Sequence, residues 1–294
     1  MEKINKKIVR HHTKTGIVIK NDCQKLNKLK LVTLMNKIVT LIKKRVKQVE
    51  GKVKKQFELI KYKGNKYNCP FCNYSSKKMA LLGLEFPVIK EKSIIGAGVR
   101  QGLCRKCGST DRERLVYIYL KDQLQIFSNK DKSILHIAPE WNLSKKIDKF
   151  GFKNYICGDL QPENYPNYVQ KINILDIPYG ENTFDLIICN HVLEHIPNDF
   201  DAMEELYRVL KMGGQAILQV PISKNLLQTF EDFSVIDPQE REIVFGQCDH
   251  VRIYGQDYAD RLTFCKFKVK RKNIYKEYPK FGFNEEEDIF VIEK

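Results

Sequence analysis

Two tight cysteine pairs, Cys69-Pro70-Phe71-Cys72 and Cys104-Arg105-Lys106-Cys107, lie thirty-one residues apart. Two C-x-x-C knuckles supply four thiolates at the spacing of a tetrahedral zinc site. Gly108, just after the second pair, suits the tight turn that such a knuckle needs. A redox C-x-x-C usually stands alone, so the pairing favours zinc over a redox pair or an iron–sulfur centre. Four sulfurs close the coordination shell, which makes the metal structural and sends the chemistry elsewhere. Two other groups of residues can supply it. His191, Glu194 and His195 stand at i, i+3 and i+4 where a helix is predicted to begin, so they share a face. Further on, Asp249-His250-Val251-Arg252 offers an imidazole able to take a proton near neutral pH and a guanidinium able to hold an anion. The plainer alternative has His250 capping a structural network with Asp249.

The chain that must position these groups has 294 residues and 43% hydrophobic content, enough for one full α/β domain with smaller appendages. Cys23, Cys157, Cys189, Cys248 and Cys265 are scattered, and the total of nine is odd. That argues against a disulfide framework and for a reducing cytosol. Met1 to Arg10 is rich in lysine and polar residues, with no apolar signal segment. The net charge of +15 is unevenly placed. Residues 1–66 hold 20 Lys and Arg against 4 Asp and Glu, and residues 67–294 hold 31 against 32. The basic extension suits RNA, an anionic membrane surface, or plain solvation.

Residues 1–22 read as a basic tail. From about Leu26 to Ile60, apolar residues recur every three or four positions among lysines, predicting an amphipathic helix. Its most apolar stretch, Leu31 to Ile42, is too short and too interrupted to span a bilayer. Such a helix packs on its own domain, pairs as a coiled coil, or lies in a membrane surface. A zinc-ribbon module and linker helix are expected over 67–125, the helix running from Asp111 to Gln125 behind a Ser109 or Thr110 cap with Glu113. Over 126–294 strands and helices alternate. Strands are expected at 133–138, 154–160, 169–174, 183–189 and 215–221, and helices at 142–150 and 199–210, the last stopped by Gly213-Gly214. The pattern predicts a doubly wound, Rossmann-like parallel sheet.

Residues 133–222 resemble the class I S-adenosylmethionine-dependent methyltransferases. The resemblance rests on N-T-F-D-L-I-I-C-N-H-V-L-E-H-I-P and A-M-E-E-L-Y-R-V-L-K-M-G-G-Q-A-I-L-Q-V-P, with Met212 where the family usually has proline. The zinc-knuckle front, H-I-A-P-E and F-G-Q-x-D-H-V-R-I-Y resemble a bacterial branch associated with surface-polysaccharide biosynthesis. The resemblance implies a cofactor site at Asp159 and Leu160 after the second strand, at Asn173 and Ile174 after the third, with Asp176 as the rival, and at Asn190 after the fourth. The family's glycine-rich first loop is replaced here by His136-Ile137-Ala138-Pro139-Glu140, so His136, Ala138 and Glu140 take those places and the loop needs another path.

Some quinone-biosynthesis O-methyltransferases carry an acid-x-x-Glu-His cluster that binds a divalent metal; His191 replaces the first acid here. A second metal at His191, Glu194 and His195 is therefore one reading, and helix-start hydrogen bonding is the other. The resemblance makes His250 the expected base, with Arg252 on an anionic acceptor and His191 and His195 as substitutes. It implies methyl transfer to a hydroxyl of a sugar or lipid-linked glycan, by a cytoplasmic protein that sits peripherally at the inner membrane face if its helix binds lipid. The alternatives are an RNA methyltransferase and a non-catalytic zinc adaptor with a degenerate cofactor fold.

Overall fold

The computed structural model describes residues 35–294, so the expected tail over 1–22, Cys23 and Leu31 lie outside the described residues. The chain divides into two compact units, Met1–Lys61 and Tyr62–Lys294. In the first, residues 35–61 form one helix, α1. Met35, Ile38, Ile42, Val46, Val49, Val53, Phe57 and Ile60 are exposed along it, at the spacing that puts them on one face. No described helix is long and apolar enough to cross a membrane.

The second unit opens with β1 (Lys63–Asn68), paired antiparallel to β2 (Ser75–Ser76), and the first knuckle is the turn between them. There follow β3 (Ala80–Leu82), α2 (Pro87–Glu91), β4 (Ile94–Ile95) and β5 (Arg100–Leu103). β3 and β5 pair antiparallel, and β5 leads into the second knuckle. Helix α3 (Asp111–Ile118) starts at a capping box: the Glu113 amide donates to Thr110 Oγ1, and the Thr110 amide donates to the Glu113 carboxylate. The expected single helix to Gln125 widens instead into a π turn over Tyr119–Gln123.

The remaining elements are β6 (Ser133–Ile137), α4 (Trp141–Phe150), β7 (Asn154–Asp159), β8 (Val169–Lys171), β9 (Phe184–Asn190), α5 (Asp199–Val209) and β10 (Leu210–Gln219). They are followed by β11 (Ile222–Ser223), β12 (Phe230–Glu231), α6 (Pro238–Phe245), β13 (Arg252–Ile253), α7 (Tyr258–Phe264), β14 (Lys268–Lys272) and β15 (Ile289–Glu293). One seven-stranded sheet has the order β14-β15-β10-β9-β6-β7-β8. β8, β7, β6, β9 and β10 are parallel, and β15 runs against both of its neighbours. The expected stop at Gly213-Gly214 falls elsewhere. α5 ends at Val209, and the two glycines sit inside β10, where the register against β9 jumps between Leu210 and Gln215. Gly213 supplies the positive φ of 72° that this bulge needs.

Along β9, Leu186 and Ile188 point to one core layer and Ile187 and Cys189 to the other, as a strand covered on both faces requires. α5 and α7 cover one face, and α3 and α4 cover the other. The cysteine-bearing segment is not a separate body. β4 pairs with β11, and Val88 and Ile94 share a small core with Val235, Phe245 and Ile253. The compact unit runs from Tyr62 to Lys294.

Candidate active site and cysteine centre

The sheet changes direction of winding between β6 and β9, and ligands of open α/β sheets bind beyond the strand ends at such a point. Two non-glycine residues there adopt left-handed backbone, Ala138 after β6 (φ 48°) and His191 after β9 (φ 54°). Such strain persists where the surroundings enforce it. Ala138 thus takes a conformation that glycine usually supplies. The Glu140 carboxylate bridges the gap: one oxygen contacts His136 Nε2 at 3.0 Å, and the other accepts from Asn190 Nδ2 at 3.0 Å. Arg112 Nε stands 3.4 Å from Glu140. Burial pushes the Glu140 carboxyl up, but the His136 hydrogen bond and the His136 and Arg112 charges hold it below its ordinary value. His136 is fully buried, with Tyr155 Oη 2.8 Å from its Nδ1. Between Tyr155 and Glu140 it orients the Glu140 carboxylate. Asn190 Oδ1 is buried without a hydrogen-bond partner.

Asp159 ends β7 and accepts from the Gln161 amide at 2.8 Å, with Leu160 exposed beside it. Asn173 is exposed and its Oδ1 accepts from the Leu175 amide. The side chain of Ile174 is buried in the core shared with α5.

Next to the strand ends lies a cavity of about 370 Å³. Leu82, Ile89, Ile94, Phe245 and Ile253 give it an apolar side; Arg112, His191, Glu194, His195 and His250 give it a polar one. The expected helical face of His191, Glu194 and His195 does not form, since His191 is left-handed and only Leu193–His195 makes a 3-10 turn. The ligand-type atoms that converge instead belong to Glu194, His195 and His250, all within 4.8 Å of one another. His195 Nδ1 lies 3.2 Å from Asp249 Oδ2, and the His195 and His250 rings meet edge to face at 4.7 Å. Burial lowers the His195 pKa, but the Asp249 hydrogen bond together with the Glu194 and Asp249 charges outweighs it, and the net shift is upward. His250 faces the cavity, yet burial and the neighbouring His195 charge push it down to about 3. That leaves it neutral near pH 7 but a poor base. Burial likewise raises Glu194 to about 6.

Arg252 is corrected outright. Its Nε donates to Glu231, and its other nitrogens donate to the carbonyls of Leu193, Ile196 and Pro197. Four of its five N–H donors are engaged in this way, so it fixes the turn that carries Glu194 and His195. Sequence reasoning missed Arg112 as a cation lining the cavity. It also missed the second task of Glu113, whose Oε1 accepts from the Asn142 and Leu143 amides at the start of α4. One carboxylate thus caps two helices and fixes the loop beside Glu140.

In the cysteine centre, Cys69 Sγ and Cys107 Sγ are 3.6 Å apart, and Cys72 Sγ and Cys104 Sγ are 3.7 Å apart. All four are free thiols within 4.8 Å of one another. Ser109 Oγ lies 3.3 Å from both Cys69 and Cys107.

Residues 143–218 match the family model described as a methyltransferase domain. An uncharacterized protein of Methanocaldococcus jannaschii is 42% identical over 65 residues, 21% of this chain and 28% of that protein. The 2-methyl-6-phytyl-1,4-hydroquinone methyltransferase 1 of Oryza sativa is 35% identical over 98 residues, 33% of this chain and 26% of that one. A ubiquinone/menaquinone biosynthesis C-methyltransferase of Haemophilus ducreyi is 32% identical over 96 residues, 31% and 36% respectively. The chain thus spans about a quarter to a third of the length of these relatives. Among solved structures, a SAM-dependent methyltransferase from Archaeoglobus fulgidus aligns at 12% identity with a TM-score of 0.42, covering 62% of this chain and 94% of that one. Residues 143–218 of the second unit thus match a methyltransferase-domain model, and the unit is built on a Rossmann-like, mostly parallel sheet.

Proposed function

We propose that this chain transfers a methyl group from S-adenosylmethionine to a hydroxyl of an acceptor held in the cavity beside β9. The observation that carries the reading is the unpartnered Asn190 Oδ1, buried at the switch point next to the anionic Glu140. An ammonium group of the cofactor is the donor that this acceptor atom lacks. Asp159 fits the ribose hydroxyls, and Ala138 keeps a turn that glycine would otherwise make. The bound cofactor supplies the methyl group and its own leaving sulfur. The chain's residues then have to align the acceptor and exclude water. Activation of the hydroxyl falls to Glu194 and His195, beside the neutral His250.

Calorimetry with S-adenosylhomocysteine tests the cofactor half. Asp159→Ala is expected to weaken binding by about 1.5–3 kcal/mol, roughly ten- to hundredfold, through lost charge-assisted hydrogen bonds. Unchanged affinity would remove the second strand from the site.

The acceptor we favour is a sugar or lipid-linked glycan. A hydroquinone acceptor methylated at a ring carbon is the second reading, supported by the apolar side at Leu82, Ile89 and Phe245 and by relatives named as a hydroquinone methyltransferase and a C-methyltransferase. Methyl incorporation from labelled cofactor into lipid-linked saccharides against hydroquinones separates the two. RNA is disfavoured because the basic excess lies outside residues 67–294.

We also assign one structural zinc to Cys69, Cys72, Cys104 and Cys107. Zinc–sulfur bonds of about 2.3 Å give a tetrahedron with edges of about 3.8 Å, and two sulfur pairs already stand at 3.6 and 3.7 Å. The metal would hold the knuckles together and take no part in methyl transfer.

Helix α1 is assigned to an anionic membrane surface. Its apolar residues are exposed on one face, and lysines flank them. A chain starting at Tyr62 should keep cofactor affinity and lose sedimentation with vesicles containing phosphatidylserine. Full-length binding should weaken with salt, since each lysine at the surface contributes about 1 kcal/mol of screened attraction. Tight RNA binding with no vesicle binding would reverse this assignment.

A further inference from the structure

We infer that Glu194, His195 and His250 form a second metal site, for a divalent first-row transition cation, in the cavity floor. Their ligand atoms lie within 4.8 Å of one another, close enough to surround one ion. Glu194 is 1% exposed, and neither of its carboxylate oxygens has a hydrogen-bond partner. The nearest group, His191 Nδ1 at 3.4 Å, does not make one. A buried carboxylate is costly unless a cation or donors face it, and the three guanidinium groups that line the cavity are engaged elsewhere: Arg112 against Glu140, Arg100 with Asp111, and Arg252 with Glu231 and backbone carbonyls.

The two imidazoles approach from different segments, one from the turn after β9 and one from the loop after α6. Asp249 completes the arrangement. With Nδ1 of His195 turned to Asp249, the lone pair of that ring is left on Nε2. A carboxylate behind a ligating histidine is the usual outer partner at such sites. Arg252 pins the backbone of the turn through the Leu193, Ile196 and Pro197 carbonyls, so the ligands are held before any ion arrives.

Two imidazoles and one carboxylate suit borderline cations such as zinc, cobalt, iron or manganese, and three protein ligands leave positions open. Those positions face the cavity, where oxygen donors of an acceptor, such as a vicinal diol, can reach them. The site is separate from the four-thiolate centre in ligand type and place. The inference rests on this geometry, not on methyl transfer.

Cobalt(II) is the probe. Full-length protein, with its cysteine centre filled by zinc, is titrated with Co²⁺ and followed by visible absorption and equilibrium dialysis. One equivalent should bind, giving weak ligand-field bands without the intense near-ultraviolet bands of cobalt thiolate. Glu194→Gln, which keeps the shape, should abolish that equivalent while the zinc content stays at one. His250→Asn should do the same if Glu194→Gln fails to fold. Asp249→Asn should weaken binding by about 10- to 100-fold, as loss of an outer partner does. No cobalt bound beyond the thiolate centre, or binding indifferent to Glu194→Gln, would overturn the site. Calorimetry with S-adenosylhomocysteine stays a separate readout, so cofactor binding can fail while the metal site stands, or the reverse.

Discussion

Cys104→Ser, or removal of zinc by a strong chelator, is expected to lower the stability of all of Tyr62–Lys294 and not only of the knuckles. The expectation follows from what the centre touches. Ser109 lies against Cys69 and Cys107, and its carbonyl accepts from the Arg114 guanidinium. That guanidinium also bonds the carbonyls of Gly102, Phe281 and Gly282. Losing the metal frees the second knuckle and with it the anchor between residues 102–109 and 281–282. Structural zinc contributes on the order of 10 kcal/mol in small modules, comparable with the whole stability of an ordinary domain. Thermal unfolding followed by near-ultraviolet circular dichroism should show one transition, shifted down by well over 10 °C. A body that melts unchanged after the metal is gone would show that the two parts fold independently.

The cysteine spacing and the alternation of strands and helices were legible because each is local. A knuckle is closed by a few residues, and a strand buried on both faces must be an apolar run such as Phe184–Cys189. Helix α3 was legible at its start, where the capping box is a four-residue pattern. Its end was not, since a π turn leaves no such mark. The candidate site was legible only in part. His195 and Glu194 were singled out, but His191 was grouped with them on an assumed α-helical face, and its positive φ breaks that face. His250 joins them from more than fifty residues away, through an insertion whose path depends on packing against α2 and β4. Arg252 misled for the same reason. A charged residue near a site reads as a ligand group until its partners are known, and here they are three backbone carbonyls and Glu231. The loop H-I-A-P-E departs in sequence from a glycine-rich turn. Ala138 shows the turn made without glycine, with Glu140 tied down by His136, Asn190 and the Glu113-capped helix behind it.

Arg114→Met is expected to be the most damaging single substitution outside the cysteines. Arg114 is fully buried and donates to four carbonyls, those of Gly102, Ser109, Phe281 and Gly282. Each carbonyl left dry costs about 1–3 kcal/mol, so a loss of about 4 kcal/mol or more is expected even if water enters at some of them. Urea unfolding measures it directly. A charge argument adds a second readout. Four thiolates around one zinc ion carry two net negative charges, and a buried dianion needs a counter-charge. Arg114 is the buried cation placed to supply it, reaching the sulfurs through Ser109 Oγ. Burial draws its own pKa down, and the charges of Asp111 and the cysteine sulfurs offset that only in part. Arg114→Met should therefore release zinc to a competing chelator at roughly tenfold lower concentration, equivalent to about 1.4 kcal/mol. Arg114→Lys keeps the charge without the planar fork, so it should recover much of the zinc affinity and little of the folding stability. If both variants fold and hold zinc as the native chain does, the guanidinium is only a bracket for carbonyls and the charge pairing is wrong. If lysine restores stability but not zinc affinity, the order of the two roles is reversed.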